Sequence, residues 1–222
     1  MKVLVYVEGP SDRISLEKLL KPVIESGRGN QVGISFLPQQ GKDAILKHCG
    51  LKAAEHLGEY PDDWVFALPD LHPMARYDGG EFEHRTFDAL KQVLRNRFES
   101  RANKLGLSQE VRYHFRVHCL KHDLEALLLA VPDTLRERLG TKDALKGRWR
   151  LPVEDQNGDK PPKRIVEELF SQYRKRAGYS EATDAPWILE RASLDTVLSG
   201  CKQRFVPFVT ELKSLAAEKR LS

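Results

Sequence analysis

The chain is poor in cysteine, lacks any long apolar run and carries little net charge, and each shortage removes a class of protein. Its three cysteines, Cys49, Cys119 and Cys201, lie far apart in 222 residues and form no CxxC pair. That spacing argues against a zinc ribbon or a disulfide scaffold and for a reducing compartment. No stretch approaches the roughly 20 apolar residues that span a bilayer, so no membrane association is expected. The N-terminus has one lysine, a short apolar run and then Glu8, without the apolar length or cleavage site of a secretory signal. A cytoplasmic location is expected. A net charge of +4 is too small for a polycation. There is no internal repeat or low-complexity segment. Gly27-Arg28-Gly29 follows no strand and precedes no Lys-Ser/Thr pair, so it is not a phosphate-binding loop. Spacing alone locates no Ser-His-Asp or Cys-His constellation.

What is present is ordinary for a soluble globular chain, at 31% charged and 41% apolar residues. The length suits one elaborated domain or two small ones. Val3–Val7, Val32–Leu37 and Trp64–Leu68 are short apolar runs that read as buried strands. Helical patterns over Ser11–Glu25 and Lys42–Leu57 separate them. Alternating strands and helices predict an α/β, Rossmann-like fold, with a mostly parallel sheet and helices on both faces. Leu71–Gly80 reads as a loop and Glu81–Leu105 as a long helix. Val111–Cys119 alternates apolar and basic residues, which predicts a strand near a sheet edge. Helices are expected at Asp123–Ala130 and Thr134–Leu139. Composition shifts at Lys142: Lys142–Pro162 is polar, with a turn signal at Asn157-Gly158. Helices follow at Lys163–Ala177, Pro186–Leu198 and Phe205–Leu221. The expected organisation is an α/β domain over 1–140 and a mainly helical extension over 141–222, packed on it.

Glu8 and Asp70 end the first and third strands, the edge at which open α/β sheets bind ligands. If those strands are neighbours, the two carboxylates repel each other and raise each other's pKa unless a cation joins them. Mg²⁺ suits such a pair, because it takes one or two carboxylates and keeps several waters. Asp12, in the first turn of the next helix, can add a third oxygen or simply stabilise the helix start. His122 and Glu125, three residues apart, share one face if both are helical. They then extend the site, orient a water or position a phosphate; otherwise Glu125 caps a helix start or pairs with an arginine, with His122 at the cap. His114, His118 and His122 are spaced by four, but the alternating pattern puts the first two on a strand and no cysteine pair completes a zinc site. Lys163 and Arg164 open a helix after Pro161-Pro162, where their charges and free backbone N–H groups can converge on an anion. They lie in a basic stretch, Arg136–Arg176, with 12 Lys/Arg against 7 Asp/Glu. Lys160, Arg148 and Arg150 belong to it, a charge pattern suited to a nucleic-acid backbone. Trp149, between Arg148 and Arg150, is open to base stacking as well as packing.

Val7-Glu8-Gly9-Pro10-Ser11-Asp12 after an apolar strand, with Asp70 ending a third strand, resembles the Toprim domain of primases, topoisomerases and OLD-type nucleases. The resemblance implies a Toprim-like fold, a Glu and an Asp-x-Asp motif around Mg²⁺, and phosphodiester chemistry. Glu8 matches the Glu and Asp70 the first Asp. The second position is His72, a poorer ligand for Mg²⁺ and a better one for Mn²⁺. His122-Asp123-Leu124-Glu125-Ala126-Leu127-Leu128 resembles the HEFEALLF block of a largely bacterial Toprim-like family, the domain of unknown function 4276. Pro161-Pro162-Lys163-Arg164-Ile165 resembles its PSKRI block, and Tyr173-x-Lys175-x-x-Gly178 and Cys201-x-x-x-Phe205 fall where similar residues stand. Asp123 replaces that family's Glu and Pro162 its Ser, and no Cys-Pro pair occurs at Cys201.

The function expected is a nuclease or phosphodiesterase dependent on Mg²⁺ or Mn²⁺ and acting on nucleic acid. Glu8, Asp70, His122 and Glu125 are the expected catalytic residues. Glu8, Asp12, Asp70 and His72 are the expected metal ligands. Lys160, Lys163, Arg164, Arg148 and Arg150 are expected to hold phosphate. The resemblance further implies phage defence beside an ATPase partner. The alternative is a non-catalytic subunit that binds nucleic acid or an ATPase and carries a vestigial metal site.

Overall fold

A computed structural model describes residues 1–156, 160–174 and 177–218. The Asn157-Gly158 turn, Lys175 and the expected end of the last helix at Leu221 lie outside the described residues. The chain begins β1 (Lys2–Val7), α1 (Pro10–Leu19), α2 (Lys21–Gly29) and β2 (Gly33–Pro38). Next come α3 (Lys42–Ala44), a π-helical turn (Ile45–Cys49), α4 (Gly50–Glu59) and β3 (Trp64–Leu68). Then follow α5 (Phe87–Leu105), α6 (Gln109–Tyr113), β4 (Phe115–Val117), α7 (Glu125–Leu129) and α8 (Pro132–Leu139). The chain continues through α9 (Pro162–Tyr173), α10 (Glu181–Arg191), α11 (Leu194–Gly200) and α12 (Phe205–Ala217). No helix among the described residues is long and apolar enough to cross a membrane.

The four strands form one parallel sheet in the order β2-β1-β3-β4. Helices cover both faces, as parallel strands require. Strand alternation divides the core. Val3, Val5, Val7, Phe36, Phe66 and Leu68 face the layer that holds α1, α2 and the C-terminal helices, including Ile165, Phe205 and Phe208. Tyr6, Val65, Ala67, Phe115 and Val117 face the opposite layer, formed by the π turn, α4 and α5. At Gly50 a Cβ would fall 2.8 Å from both Leu94 O and Phe98 N. Only glycine lets α4 approach the α5 backbone this closely.

Several boundaries differ from the pattern-based expectation. The expected helix Ser11–Glu25 is two helices, because Pro22 has no N–H to continue the first ladder. Glu81–Phe82 stays outside α5, which starts where the Thr86 hydroxyl accepts the Ala89 N–H, and Gly106, at φ 66°, ends it. The expected strand Val111–Cys119 is half helix: Ser108 caps α6, and pairing with β3 begins only at Phe115. The surviving strand is an edge strand, as its alternation predicted. The expected helix Pro186–Leu198 starts earlier, at Glu181, passes through Pro186 and breaks before α11. Its start is held by Asp184, whose Oδ2 accepts the Ser180 N–H at 2.7 Å.

Candidate metal and phosphate site

The site is built on the C-terminal edge of β1 and β3, which are direct neighbours with Val7 opposite Leu68. Glu8 and Asp70 emerge just past that register. Glu8 Oε1 accepts the backbone N–H of Asp70 at 2.9 Å, tying the two strand ends together. Gly9 stands extended at the helix N-cap, and Pro10 takes the first helical position, where its missing N–H costs nothing. Asp12 reaches back from the first turn of α1, its Oδ2 accepting the Gly9 N–H at 2.7 Å. Asp12 thus does the helix-start work and also faces the cleft.

A cavity of about 460 Å³ opens at this edge, lined by Glu8, Asp12, Asp70, Asp123, Glu125 and Glu181. Against these carboxylates stands Lys163, at the start of α9. Its Nζ lies 2.7 Å from Glu181 Oε2 and 3.9 Å from Glu125 Oε1, and its backbone N–H donates to Asp123 Oδ2 at 3.3 Å. Lys42 sits behind, its buried ammonium donating to Leu71 O at 2.8 Å.

The charge imbalance marks the buried carboxylates Glu8, Asp12, Asp70, Asp123 and Glu125. Burial pushes Asp12 up to about 7, with the Glu8 charge adding to it. Asp123 rises to about 7 through burial and the Glu125 charge. Glu125 rises to about 7 through burial, partly offset by Lys163. Burial also raises Glu8 and Asp70, and for Asp70 the Glu8 charge compounds it. Burial works to lower Lys163, but the hydrogen bond to Glu181 and the surrounding carboxylates outweigh it and push the amine up to about 12. Tyr179 OH faces Glu125 without hydrogen-bond geometry, and Asp123 Oδ1 and Glu125 Oε1 are buried with no hydrogen-bond partner among the described residues. Burial combined with like charge is the condition that a divalent cation relieves.

The donors are all carboxylate oxygens, a hard set suited to Mg²⁺ or Mn²⁺. Among the described residues no three His, Cys, Asp or Glu side chains converge closely enough to hold an ion as they stand. Mg²⁺ does not require three, because one or two carboxylates with waters and substrate oxygens complete its shell. By donor chemistry, Glu8 and Asp70 are the residues that would hold such an ion, with the rest of its shell in solvent or substrate.

The remaining expected residues divide between places. His72 does not line this cavity; it lines an adjoining one with His122, the two rings stacked 4.8 Å apart at 11°. His122 is not on a helix face shared with Glu125. The helix starts only at Glu125, while His122 sits in the preceding turn against His72 and faces the other cavity. Arg164 is exposed at the mouth of that second cavity. Lys160 is paired with Glu168. Arg148 lines a separate cavity beside Trp149, and Arg150 hydrogen-bonds Asp155 O. The five basic residues therefore do not form one patch: Lys163 and Arg164 belong to the site, and Arg148 and Arg150 lie apart from it. Of the spaced histidines, His114 bonds Pro61 O and His118 bonds Glu211, which leaves no shared centre.

Sequence reasoning missed Glu181 and Lys42. Glu181 follows Ser180 at a helix start, where an acidic residue is routine, and Lys42 reads as an ordinary first-turn lysine.

The family described as domain of unknown function DUF4276 matches residues 7–213. The chain belongs to that family. Within this DUF4276 chain the match spans every residue of the cleft. The C-terminal region of the OLD protein of Xanthomonas campestris pv. campestris is similar in structure, at 15% identity and a TM-score of 0.43, over 97% of this chain and 95% of that one. No curated protein matches the chain.

Proposed function

We propose that the chain is a metal-dependent nuclease of Toprim type, with Glu8 and Asp70 as the ligands of Mg²⁺ or Mn²⁺ and Asp12 beside them. The observation that carries this reading is the joining of two strand-end carboxyl residues, Glu8 Oε1 on Asp70 N–H at 2.9 Å, in a buried cleft with an excess of negative charge. Bound there, the ion would activate a water and draw charge from the scissile phosphate. Glu125, at about 7, suits giving or taking a proton at neutral pH. Lys163 keeps Glu125 and Glu181 from repelling phosphate, and Arg164 is free to hold it.

The test is cleavage of single- and double-stranded DNA and RNA in Mg²⁺ and in Mn²⁺, alongside ion binding by calorimetry. Glu8→Gln and Asp70→Asn are expected to lose both ion binding and cleavage. A wild type that binds neither ion and leaves every substrate intact refutes the reading. One observation favours a second reading, a non-catalytic nucleic-acid- or ATPase-binding subunit: among the described residues no three ligands converge, and Glu8 and Asp12 already hold backbone N–H groups. Ion-independent binding to nucleic acid without cleavage would select it.

A further inference from the structure

The second cavity has a chemistry of its own. It measures about 390 Å³ and shares Asp70, Asp123 and Lys163 with the carboxylate cleft, so the two adjoin. Away from that shared wall its surface is Pro73, Pro161, the stacked imidazoles of His72 and His122, and the charged side chains of Arg164 and Glu167 on α9. The prolines and imidazoles give it flat faces that a bare phosphate site lacks. Two residues that line this space each carry a buried polar atom without a partner among the described residues. His122 is 3% exposed, and its Nε2 has no hydrogen-bond partner among the described residues. Next to it, Asp123 spends Oδ2 on the Lys163 N–H and leaves Oδ1 buried and unpartnered. A buried polar atom without a partner requires an explanation, and two on adjacent residues lining a cavity with flat faces fit a ligand that presents a polar edge and flat faces. Arg164 stands exposed at the mouth and forms no ion pair among the described residues.

We infer that this cavity binds one unpaired nucleotide whose base carries an amino group. The base lies among Pro73, Pro161 and the His72 ring, its amino N–H donates to Asp123 Oδ1, and His122 Nε2 meets a neighbouring ring atom. Arg164 takes the phosphate. Adenine, cytosine and guanine offer such a donor at the base edge; thymine has no amino group. Resting on the nuclease reading, the inference deepens it: the substrate must present an unstacked base beside the metal edge, as single strands, frayed ends and flipped nucleotides do. A paired duplex cannot reach the pocket.

The experiment is calorimetric titration at pH 8 in EDTA, where cleavage plays no part. The probes are deoxyadenosine monophosphate, thymidine monophosphate and deoxyribose 5-phosphate. Deoxyadenosine monophosphate is expected to bind about 10-fold more tightly than either of the others, the range set by one buried hydrogen bond. Asp123→Asn keeps the shape but offers an amide, so the preference for adenine over thymine should narrow or invert. Arg164→Ala, at an exposed position, should weaken the binding of all three probes by a similar factor. Equal binding of the sugar phosphate and deoxyadenosine monophosphate, an unchanged preference in Asp123→Asn, or no effect of Arg164→Ala would each overturn the inference. If Asp123→Asn does not fold, the comparison of three probes on the wild type decides alone. Wild type that cleaves nucleic acid yet shows no base preference keeps the nuclease and loses this pocket.

Discussion

Replacing Glu125 with glutamine should make the metal-free protein more stable at alkaline pH than at acid pH, relative to wild type. Glu125 is 1% exposed, and its carboxyl stands at about 7 against an ordinary 4.5. A group raised in the folded state contributes stability that is fully present below 4.5 and lost as pH rises through 7. At pH 8 the ionised side chain therefore costs the fold about 3 kcal/mol, and at pH 5 about 1 kcal/mol. The glutamine amide pays its own burial penalty, about 1–2 kcal/mol, but pays it equally at both values. The readable quantity is thus the change in the variant-minus-wild-type difference between pH 5 and pH 8, about 2 kcal/mol. In a chain of 222 residues that corresponds to about 4–8 °C in Tm. Urea or thermal melts in EDTA at the two pH values measure it. Adding millimolar Mn²⁺ at pH 8 should raise wild type and Glu125→Gln alike, because Glu8 and Asp70 hold the ion, and leave Glu8→Gln behind. A difference that is the same at both pH values would mean that Glu125 is satisfied in the fold, and the account of a charge-strained cleft would be wrong.

Three further outcomes follow from other parts of the molecule. Gly50→Ala, whose Cβ meets the α5 backbone at 2.8 Å, should cost about 2–3 kcal/mol in urea unfolding by forcing α4 and α5 apart. Glu211 is partly buried, which raises its carboxyl, but the bonds from His118 and Arg116 outweigh that and hold it below 4.5. Glu211→Gln should therefore be less stable at pH 7 by about 1–2 kcal/mol, with the gap closing as pH falls through the depressed wild-type value. In EDTA, wild-type affinity for a single-stranded oligonucleotide should fall with salt, and Arg164→Ala should lower the slope of log K against log salt by about 1, read by anisotropy titration.

The half of the site that was legible in the sequence is the half fixed by local signals. Glu8 and Asp70 each end an apolar run, and such a run in an alternating β/α pattern dictates a parallel strand whose C-terminal edge carries the next residue. Their adjacency needed only the neighbouring of β1 and β3, which the right-handed crossover permits. Asp12 followed from the helix start. What the pattern could not carry were groups placed by tertiary packing. The spacing of His122 and Glu125 matches a helix face, but the stacking of His122 on His72 and the bond from Lys163 N to Asp123 hold that segment out of helix until Glu125. The two residues consequently serve different cavities. Glu181 comes to the cleft only because α10 packs on α1, a contact between segments more than 160 positions apart. Local propensity, moreover, favours neutral or paired residues in a core, whereas this edge collects carboxylates that raise one another. The residues least comfortable in the fold are therefore the ones on which the proposed chemistry rests. If that is so, the mutations that stabilise the metal-free chain most, at Glu125 first, should also be the ones that remove its chemistry.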